Sequence, residues 1–288
     1  LLRTPVEAQI VPWTDIEAAV TEDMRSDARW IFHIGHVGST LVSRLLGELD
    51  GVLSIREPRL LRDLALTPAE IRHRYLEPVP KLMSRTFWDT EVACVKATSF
   101  ASEIASDLVP PNQRALFMYA SPRNYIASIL AGENSVEEVR LLAGRRAQRL
   151  NGRGIYIPAQ SDAGHAAVAW ATEITALEAA SDAMSDRSIK WVDFDEMLGD
   201  MELALVQIGS FFRFTFDASD MQEIVRGPLM SRYSKAVEYE YSPSLRRELI
   251  GEAAEHFEGD ISGALAMLRS AAEKSPLLAR ALRRSEEG

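Results

Sequence analysis

A glycine-rich turn near the start of the chain has the residues needed to hold a phosphate group. It reads Gly-His-Val-Gly-Ser-Thr and connects a short apolar segment to a segment with leucines at helical spacing. Glycines let a backbone turn tightly and approach a ligand closely, and the free N–H groups at a helix start favour a bound phosphate. The alternative is a turn that needs glycine for packing alone. The candidate binding residues are Gly35, His36, Val37, Gly38, Ser39 and Thr40.

Two charged side chains follow apolar segments further along the chain. Glu57 comes just after segment 52–55, and Lys96 directly follows segment 92–95. The carboxyl ends of parallel strands lie at one edge of a sheet, where ligands bind in open α/β folds. A carboxylate at that edge can act as a general base, and a lysine can bind a transferring anionic group as a point charge. The simpler readings are a surface ion pair of Glu57 with a neighbouring arginine and an ordinary solvated lysine.

The sequence also predicts the surroundings of several other residues. Pro58 disfavours a helical backbone at the preceding residue, so Glu57 is expected to be extended. His33 points away from the side of its strand that Ile34 faces, and we expect a packed, hydrogen-bonded histidine rather than a base. The arginines of segment 140–149 are expected to form a solvated helix face.

Alternating apolar and helical segments predict the elements that position these residues. A strand–helix–strand unit with short, wholly apolar strands indicates a parallel sheet covered on both faces. The predicted strands are 30–34, 52–55, 92–95, 116–119 and 189–194, and the predicted helices are 15–23, 39–49, 68–85, 101–108, 124–130, 135–150, 165–183 and 202–212, with a loop at 151–154.

We therefore predict the α/β class, as a single three-layer domain over residues 1–288. It has a mostly parallel central sheet, helices on both faces and a phosphate-binding loop after the first core strand. Residues 1–28 form a lead-in, and residues 243–288 form a helical C-terminal segment.

Composition limits the classes of function. The net charge of −10 argues against general binding of nucleic acid. No apolar run approaches the roughly 20 residues that span a bilayer, and the acidic start is unlike a signal peptide, so we expect a cytoplasmic protein. The one cysteine, Cys94, excludes an internal disulfide and a cysteine-based metal cluster. Nothing in the sequence indicates an oligomeric state.

Segment 32–46, FHIGHVGSTLVSRLL, resembles the 5′-phosphosulfate loop of the sulfotransferase family. These enzymes use 3′-phosphoadenosine 5′-phosphosulfate (PAPS), and their loop reads roughly Pro-Lys/Arg-Ser-Gly-Thr-Thr. With Gly38 aligned, Ser39 and Thr40 stand at the threonine pair, and His36 stands at the lysine or arginine. The resemblance implies that His36 assists the leaving group and that no metal is needed.

The same resemblance extends to the residues at the strand ends. Glu57 lies at the interval after His36 at which tyrosylprotein sulfotransferases place their catalytic glutamate. Small-molecule sulfotransferases instead use a histidine in a Lys-Thr-His run, which here reads Lys96, Ala97 and Thr98. The resemblance therefore implies that Glu57 is the base and that Lys96 contacts the transferring group.

Two later segments resemble family segments that bind the nucleotide, and the first of them resembles the motif for its 3′-phosphate. Ser128 stands at the serine of the first segment, while Ala120 stands at its arginine, and Arg123 is expected to reach the same phosphate. Lys235, in Arg-Tyr-Ser-Lys, resembles the late basic segment that covers the nucleotide. These residues complete the expected PAPS site.

The predicted function is PAPS-dependent transfer of a sulfuryl group to a hydroxyl or amine of a small molecule or peptide. One alternative is a small-molecule kinase or other nucleotide phosphotransferase with a variant loop. Against it, the ATP/GTP loop requires four residues between its glycines and a lysine after the second, whereas this turn has two residues and Ser39. The other alternative is a non-catalytic nucleotide-binding relic of the fold.

Overall fold

The five strands of the sheet all pair in parallel. The computed structural model describes residues 10–230 and 243–286. Within them the strands are β1 (Arg29–His33), β2 (Val52–Arg56), β3 (Val92–Lys96), β4 (Arg114–Tyr119) and β5 (Ser188–Asp193). Their order is β2-β3-β1-β4-β5, and β1 pairs with β3 and β4. The predicted α/β class is confirmed, and the parallel pairing includes every described strand.

Helices separate the strands along the chain. They are α1 (Trp13–Ala19), α2 (Ser39–Leu46), α3 (Arg59–Leu66), α4 (Ala69–Leu76), α5 (Val79–Met83), α6 (Ala105–Leu108), α7 (Pro122–Leu130), α8 (Glu133–Gly152), α9 (Asp162–Ala183), α10 (Phe194–Met197), α11 (Met201–Phe212), α12 (Ala218–Arg226), α13 (Pro243–His256), α14 (Glu258–Ala272) and α15 (Pro276–Arg284), with a 3₁₀ helix at Ser99–Ile104. No described helix has the length and apolar content of a membrane span.

The connections place the turn after β1 at a switch point of the sheet. The chain moves from β1 toward β2 in one direction and from β3 toward β4 in the other. Right-handed crossovers therefore put α2 on one face, and the 3₁₀ helix with α6 on the opposite face. Parallel sheets bind ligands in the crevice at such a point, beyond the carboxyl ends of the strands.

Aromatic side chains form the centre of the core beneath that edge. Trp30 and Phe32 of β1 are fully buried and stack with ring centroids 5.9 Å apart. Phe32 meets Phe117 of β4 edge to face at 5.8 Å, and Phe117 meets Trp191 of β5 at 5.0 Å. These contacts cross three neighbouring strands and hold β1, β4 and β5 in a fixed relation.

Several predicted boundaries were wrong. Three helices, α3, α10 and α12, were missed, and the helix predicted over 68–85 is divided into α4 and α5 because prolines follow α4. The loop predicted at 151–154 begins later, since α8 continues through Gly152. The helix predicted at 15–23 begins and ends earlier, at Trp13 and Ala19.

The solvated arginine face predicted on α8 was also wrong. Arg140 and Arg145 are exposed, but Arg146 is 4% exposed, and Arg149 is half-buried against α9. Arg149 donates to both carboxylate oxygens of Glu173, at 2.7 and 3.3 Å, and Glu173 is fully buried. A buried carboxylate needs such a partner, so part of this arginine series stabilises helix packing.

Arg149→Met is expected to lower the free energy of unfolding by about 3 kcal/mol, because it leaves Glu173 buried without its bidentate partner. Urea unfolding measures the change. Arg145→Met on the same helix is the matched control and should stay within about 0.5 kcal/mol. Equal losses in the two variants would show that the ion pair does not stabilise the packing of α8 on α9.

Candidate functional site

The turn between β1 and α2 has an unusual backbone. Gly35, His36 and Gly38 have φ angles of +86°, +54° and +58°. Positive φ is uncommon for residues other than glycine, and strained positions of this kind cluster at ligand sites. His36 is the strained residue of the turn, and its conformation marks the turn as a candidate ligand site.

The turn presents backbone donors at the start of α2. The first helical bond runs from the Val42 N–H to the Gly38 carbonyl at 3.0 Å. Within the described part of the chain, the N–H groups of Gly38, Ser39 and Thr40 meet no protein acceptor. Such unpaired groups at a helix N-terminus form an anion-binding site. The loop has the form that phosphate binding requires, and the binding itself stays a prediction.

Gly38 is required by packing as well. A side chain at this position would place its Cβ 2.0 Å from Cζ of Phe194, the first residue of α10. At Gly35 the nearest atom to such a Cβ is the Tyr125 hydroxyl, at 3.9 Å. The packing explanation therefore accounts for Gly38, while Gly35 is needed for its left-handed conformation.

His33 connects the loop to the neighbouring strand β3. Its Nδ1 accepts a hydrogen bond from the Gly35 N–H at 2.9 Å, and its Nε2 lies 3.0 Å from the Ala97 carbonyl. The first bond makes Nδ1 an acceptor, so we assign the proton to Nε2, which donates to Ala97. His33 is 6% exposed. The predicted packed, hydrogen-bonded histidine is confirmed.

Glu57 and Lys96 form an ion pair at the same edge of the sheet. The Glu57 N–H donates to the Lys96 carbonyl at 2.8 Å, and the Lys96 ammonium donates to the Glu57 carboxylate. The Lys96 side chain is 1% exposed and that of Glu57 is 51% exposed. The solvated lysine is therefore excluded, and the carboxylate pairs with Lys96 rather than with a neighbouring arginine. In this ion pair the Glu57 carboxylate is accessible to solvent, while the Lys96 ammonium is buried.

The extended conformation predicted for Glu57 was wrong, because its φ angle is +48°. Pro58 does exclude a helical backbone at Glu57, but the chain passes from β2 to α3 within two residues. A left-handed residue makes that change of direction. Such a residue costs about 1–3 kcal/mol, and the two bonds to Lys96 hold it in place.

The predicted 3′-phosphate residues lie on or beside α7. The Ser128 hydroxyl donates to the Tyr125 carbonyl at 2.8 Å. The Arg123 guanidinium is bonded to Glu258 of α14, and Ala120 is fully buried. Among the described residues the Arg123 side chain bonds to α14 rather than to an atom of the loop, and Lys235 lies outside those residues. The roles of Ser128, Arg123 and Lys235 stay predictions.

Sequence reasoning missed one cation beside the loop. Arg246 of α13 has its Nη2 3.4 Å from the His36 carbonyl and 3.3 Å from Asp195. Its Cζ lies 5.0 Å from the centre of the Phe194 ring. The only signal was a basic pair in a helix predicted after Pro243, and it is separated from the loop by 210 positions.

Asp193 serves the local fold at the end of β5. Its carboxylate accepts from the backbone N–H groups of Asp195 and Glu196, at 2.8 and 3.4 Å, and so caps α10. Burial raises the pKa of this carboxyl to about 6. In the described ranges, no three histidine, cysteine or acidic side chains cluster in a way that fits a metal ion.

No known family's sequence model matches the chain, and no curated protein matches it. Several solved structures resemble it. The sulfotransferase domain from the curacin biosynthetic pathway is 13% identical, with 82% of this chain and 99% of that chain covered and a TM-score of 0.49. Mouse sulfotransferase SULT7A1 complexed with PAP is 12% identical, with 91% and 90% covered and a TM-score of 0.47. A sulfotransferase from Alicyclobacillus acidocaldarius is 16% identical, with 84% and 95% covered and a TM-score of 0.42.

Gly38→Ala is expected to lower the free energy of unfolding by about 3 kcal/mol, because it adds left-handed strain and a clash with Phe194. Gly154→Ala is the matched control, since Gly154 has φ of +73° and no atom within 4 Å of a Cβ. It should lose only about 1 kcal/mol. Chemical denaturation of both variants measures the difference. Equal losses would mean that the Phe194 contact adapts without cost.

Proposed function

We propose that this protein transfers a sulfuryl group from PAPS to a hydroxyl or amine of a small molecule or peptide. The observation that carries the proposal is the short connection from the glycine-rich turn to an accessible carboxylate, which is made of hydrogen bonds and one peptide step at the end of β3. The Gly35 N–H bonds to His33, His33 bonds to Ala97, and the residue before Ala97 holds Glu57. The candidate anion site and the candidate base therefore lie at one edge of the sheet.

The loop would hold the phosphate end of PAPS. Its unpaired N–H groups and the positive end of the α2 dipole favour the 5′-phosphate and the sulfuryl oxygens. His36, with its backbone in the left-handed region, projects from the same turn. A donor at that position stabilises the bridging oxygen as the bond from sulfur to that oxygen breaks.

Glu57 would act as the base. Its carboxylate takes the proton of the acceptor hydroxyl or amine while the acceptor oxygen or nitrogen forms a bond to sulfur. The bond between sulfur and the bridging oxygen breaks, and its electron pair leaves on the 5′-phosphate of 3′-phosphoadenosine 5′-phosphate (PAP). The 51% exposure of the Glu57 side chain supports this role, since the acceptor must reach it.

Lys96 would neutralise charge during transfer. Before reaction its buried ammonium is bonded to the Glu57 carboxylate. When Glu57 becomes protonated, that carboxylate loses its charge while negative charge grows on the leaving phosphate. A fixed cation in a low-dielectric site then acts on the sulfuryl and bridging oxygens without any reorganisation. Lys96 thus supports the base first and the leaving group afterwards.

Ser128, Arg123 and Lys235 would hold the 3′-phosphate. Arg123 is 44% exposed and pairs with Glu258, which is 53% exposed. Surface ion pairs of this kind contribute about 0–1 kcal/mol, so a phosphate can replace the carboxylate at small cost. Bonds of an arginine to phosphate are worth about 1.5–3 kcal/mol. The exchange therefore favours the nucleotide.

Thermal unfolding with three nucleotide conditions tests the proposal against its alternatives. We expect PAP to raise the melting temperature without magnesium, because the loop binds phosphate through N–H groups and cations. A shift only with ATP plus magnesium would favour a phosphotransferase and contradict the proposal. No shift with PAP, ATP or ATP plus magnesium would contradict nucleotide binding altogether.

Glu57→Gln is expected to reduce sulfuryl transfer at least about a hundredfold, the usual contribution of a general base, while changing PAP affinity less than about threefold. Transfer of radiolabelled sulfur from PAPS to a panel of phenols, alcohols, amines and tyrosine peptides measures the rate. Titration calorimetry measures PAP binding. Glu70→Gln, an exposed glutamate on α4, is the control.

A double variant separates the base from the ion pair. Glu57→Gln leaves the Lys96 ammonium buried without its carboxylate, whereas Glu57→Gln with Lys96→Met removes both charges. We expect the double variant to recover stability relative to the single variant, and to stay inactive. Wild-type turnover in Glu57→Gln would remove Glu57 from the mechanism.

A further inference from the structure

The phosphate-binding turn has no lysine or arginine of its own. His36 stands where a loop cation was expected, and Ala120, where a second cation was expected, is fully buried. Arg123 is bonded to Glu258. The side chain of Arg246, in contrast, reaches the turn from α13 and contacts the carbonyl of His36. The turn therefore has a cation nearby that its own sequence does not contain.

The Arg246 guanidinium has unused capacity for hydrogen bonds. Its three contacts, to the His36 carbonyl and to one oxygen of Asp195, measure 3.3–3.4 Å and use only Nε and Nη2. Within the described residues, Nη1 has no acceptor. The side chain is 15% exposed, so these donors are partly removed from water. A guanidinium in this situation gains free energy when an anion supplies acceptors.

Neighbouring side chains fix the position of Arg246. The other carboxylate oxygen of Asp195 accepts from the Asn124 amide at 3.0 Å, which connects α10 to the start of α7. The Phe194 ring lies under the guanidinium, and its atoms also lie against Gly38. The same aromatic ring therefore contacts both the Arg246 cation and Gly38, the residue that precedes α2.

We propose that Arg246 binds the phosphate group seated on the turn between β1 and α2, which is the 5′-phosphate side of the nucleotide. This assignment rests on the proposed function for the identity of the nucleotide. The loop N–H groups and the guanidinium converge on one oxyanion, with Nη1 as the first donor available to it. Asp195 acts as the positioning residue that holds the guanidinium group of Arg246 in place.

The test compares nucleotides that differ in the position of the phosphate. Binding of PAP, 5′-AMP, 3′-AMP and inorganic pyrophosphate is measured by titration calorimetry on the full chain. Arg246→Met is expected to weaken PAP, 5′-AMP and pyrophosphate about tenfold to a hundredfold, and to leave 3′-AMP within about twofold. Arg246→Lys should recover part of the lost affinity, because lysine keeps the positive charge but lacks the planar set of N–H donors of a guanidinium.

Arg247→Met is the matched control, because Arg247 is the next residue of α13 and is exposed. It should leave all four affinities within about twofold. Unchanged 5′-AMP and pyrophosphate binding in Arg246→Met overturns the assignment. Equal losses for 3′-AMP and 5′-AMP also overturn it, since a general structural defect would not distinguish the two. If the Arg246→Met variant does not fold, the affinities for 5′-AMP, pyrophosphate and 3′-AMP are compared in the Arg246→Lys variant instead.

The outcome also separates this proposal from the proposed function. Failure of the wild-type protein to bind PAP contradicts the proposed function. Pyrophosphate binding that Arg246→Met removes would then still support Arg246 as the oxyanion ligand of the turn. Strong PAP binding that Arg246→Met leaves unchanged contradicts only the assignment of Arg246.

Discussion

The close approach of Phe194 to Gly38 is the contact on which the candidate site depends. A glycine at this position lets an aromatic ring from the end of β5 lie against the first turn of α2. The other partner of that ring is the guanidinium of Arg246. One side chain therefore sets both the position of the loop donors and the position of the cation beside them. The left-handed φ of Gly38 makes the arrangement possible.

Hydrogen bonds across the sheet edge connect this geometry to Glu57. His33 bonds to the loop through one ring nitrogen and to the end of β3 through the other. Lys96, one residue earlier on β3, holds Glu57 at the end of β2 by a backbone bond and an ion pair. Because β1, β3 and β2 are neighbours in that order, three parallel strands carry the glycine-rich turn, the lysine and the carboxylate. A fixed sheet gives such groups the precision that catalysis needs.

The sequence predicted the sheet and the loop because both depend on local patterns. Short apolar strands and the glycines at 35 and 38 carry those signals directly. The positive φ of Glu57 was not predictable, because it results from the tight passage between β2 and α3 rather than from Pro58 alone. Burial of Arg146 and Arg149 was equally hidden, since it depends on α9 packing along α8. Arg246 is brought to the loop only by tertiary structure.

The charges of the site follow a common pattern that bears on how a ligand would bind. Lys96, Arg123 and Arg246 each bond to a carboxylate of the chain, namely Glu57, Glu258 and Asp195. In a protein with net charge −10, such pairing reduces nonspecific binding of anions to these cations. Under our proposals an incoming phosphate shares these cations with the carboxylates or displaces the carboxylates, and both are easiest where the existing bonds are long or exposed. Those conditions hold for Arg246, whose bonds are 3.3–3.4 Å, and for the exposed pair of Arg123. They do not hold for Lys96, which is buried and which, under the proposed mechanism, loses its charged partner only when Glu57 takes up a proton. The same pairing that protects the site would therefore separate binding of the nucleotide, through the arginines, from the chemical step, through Lys96.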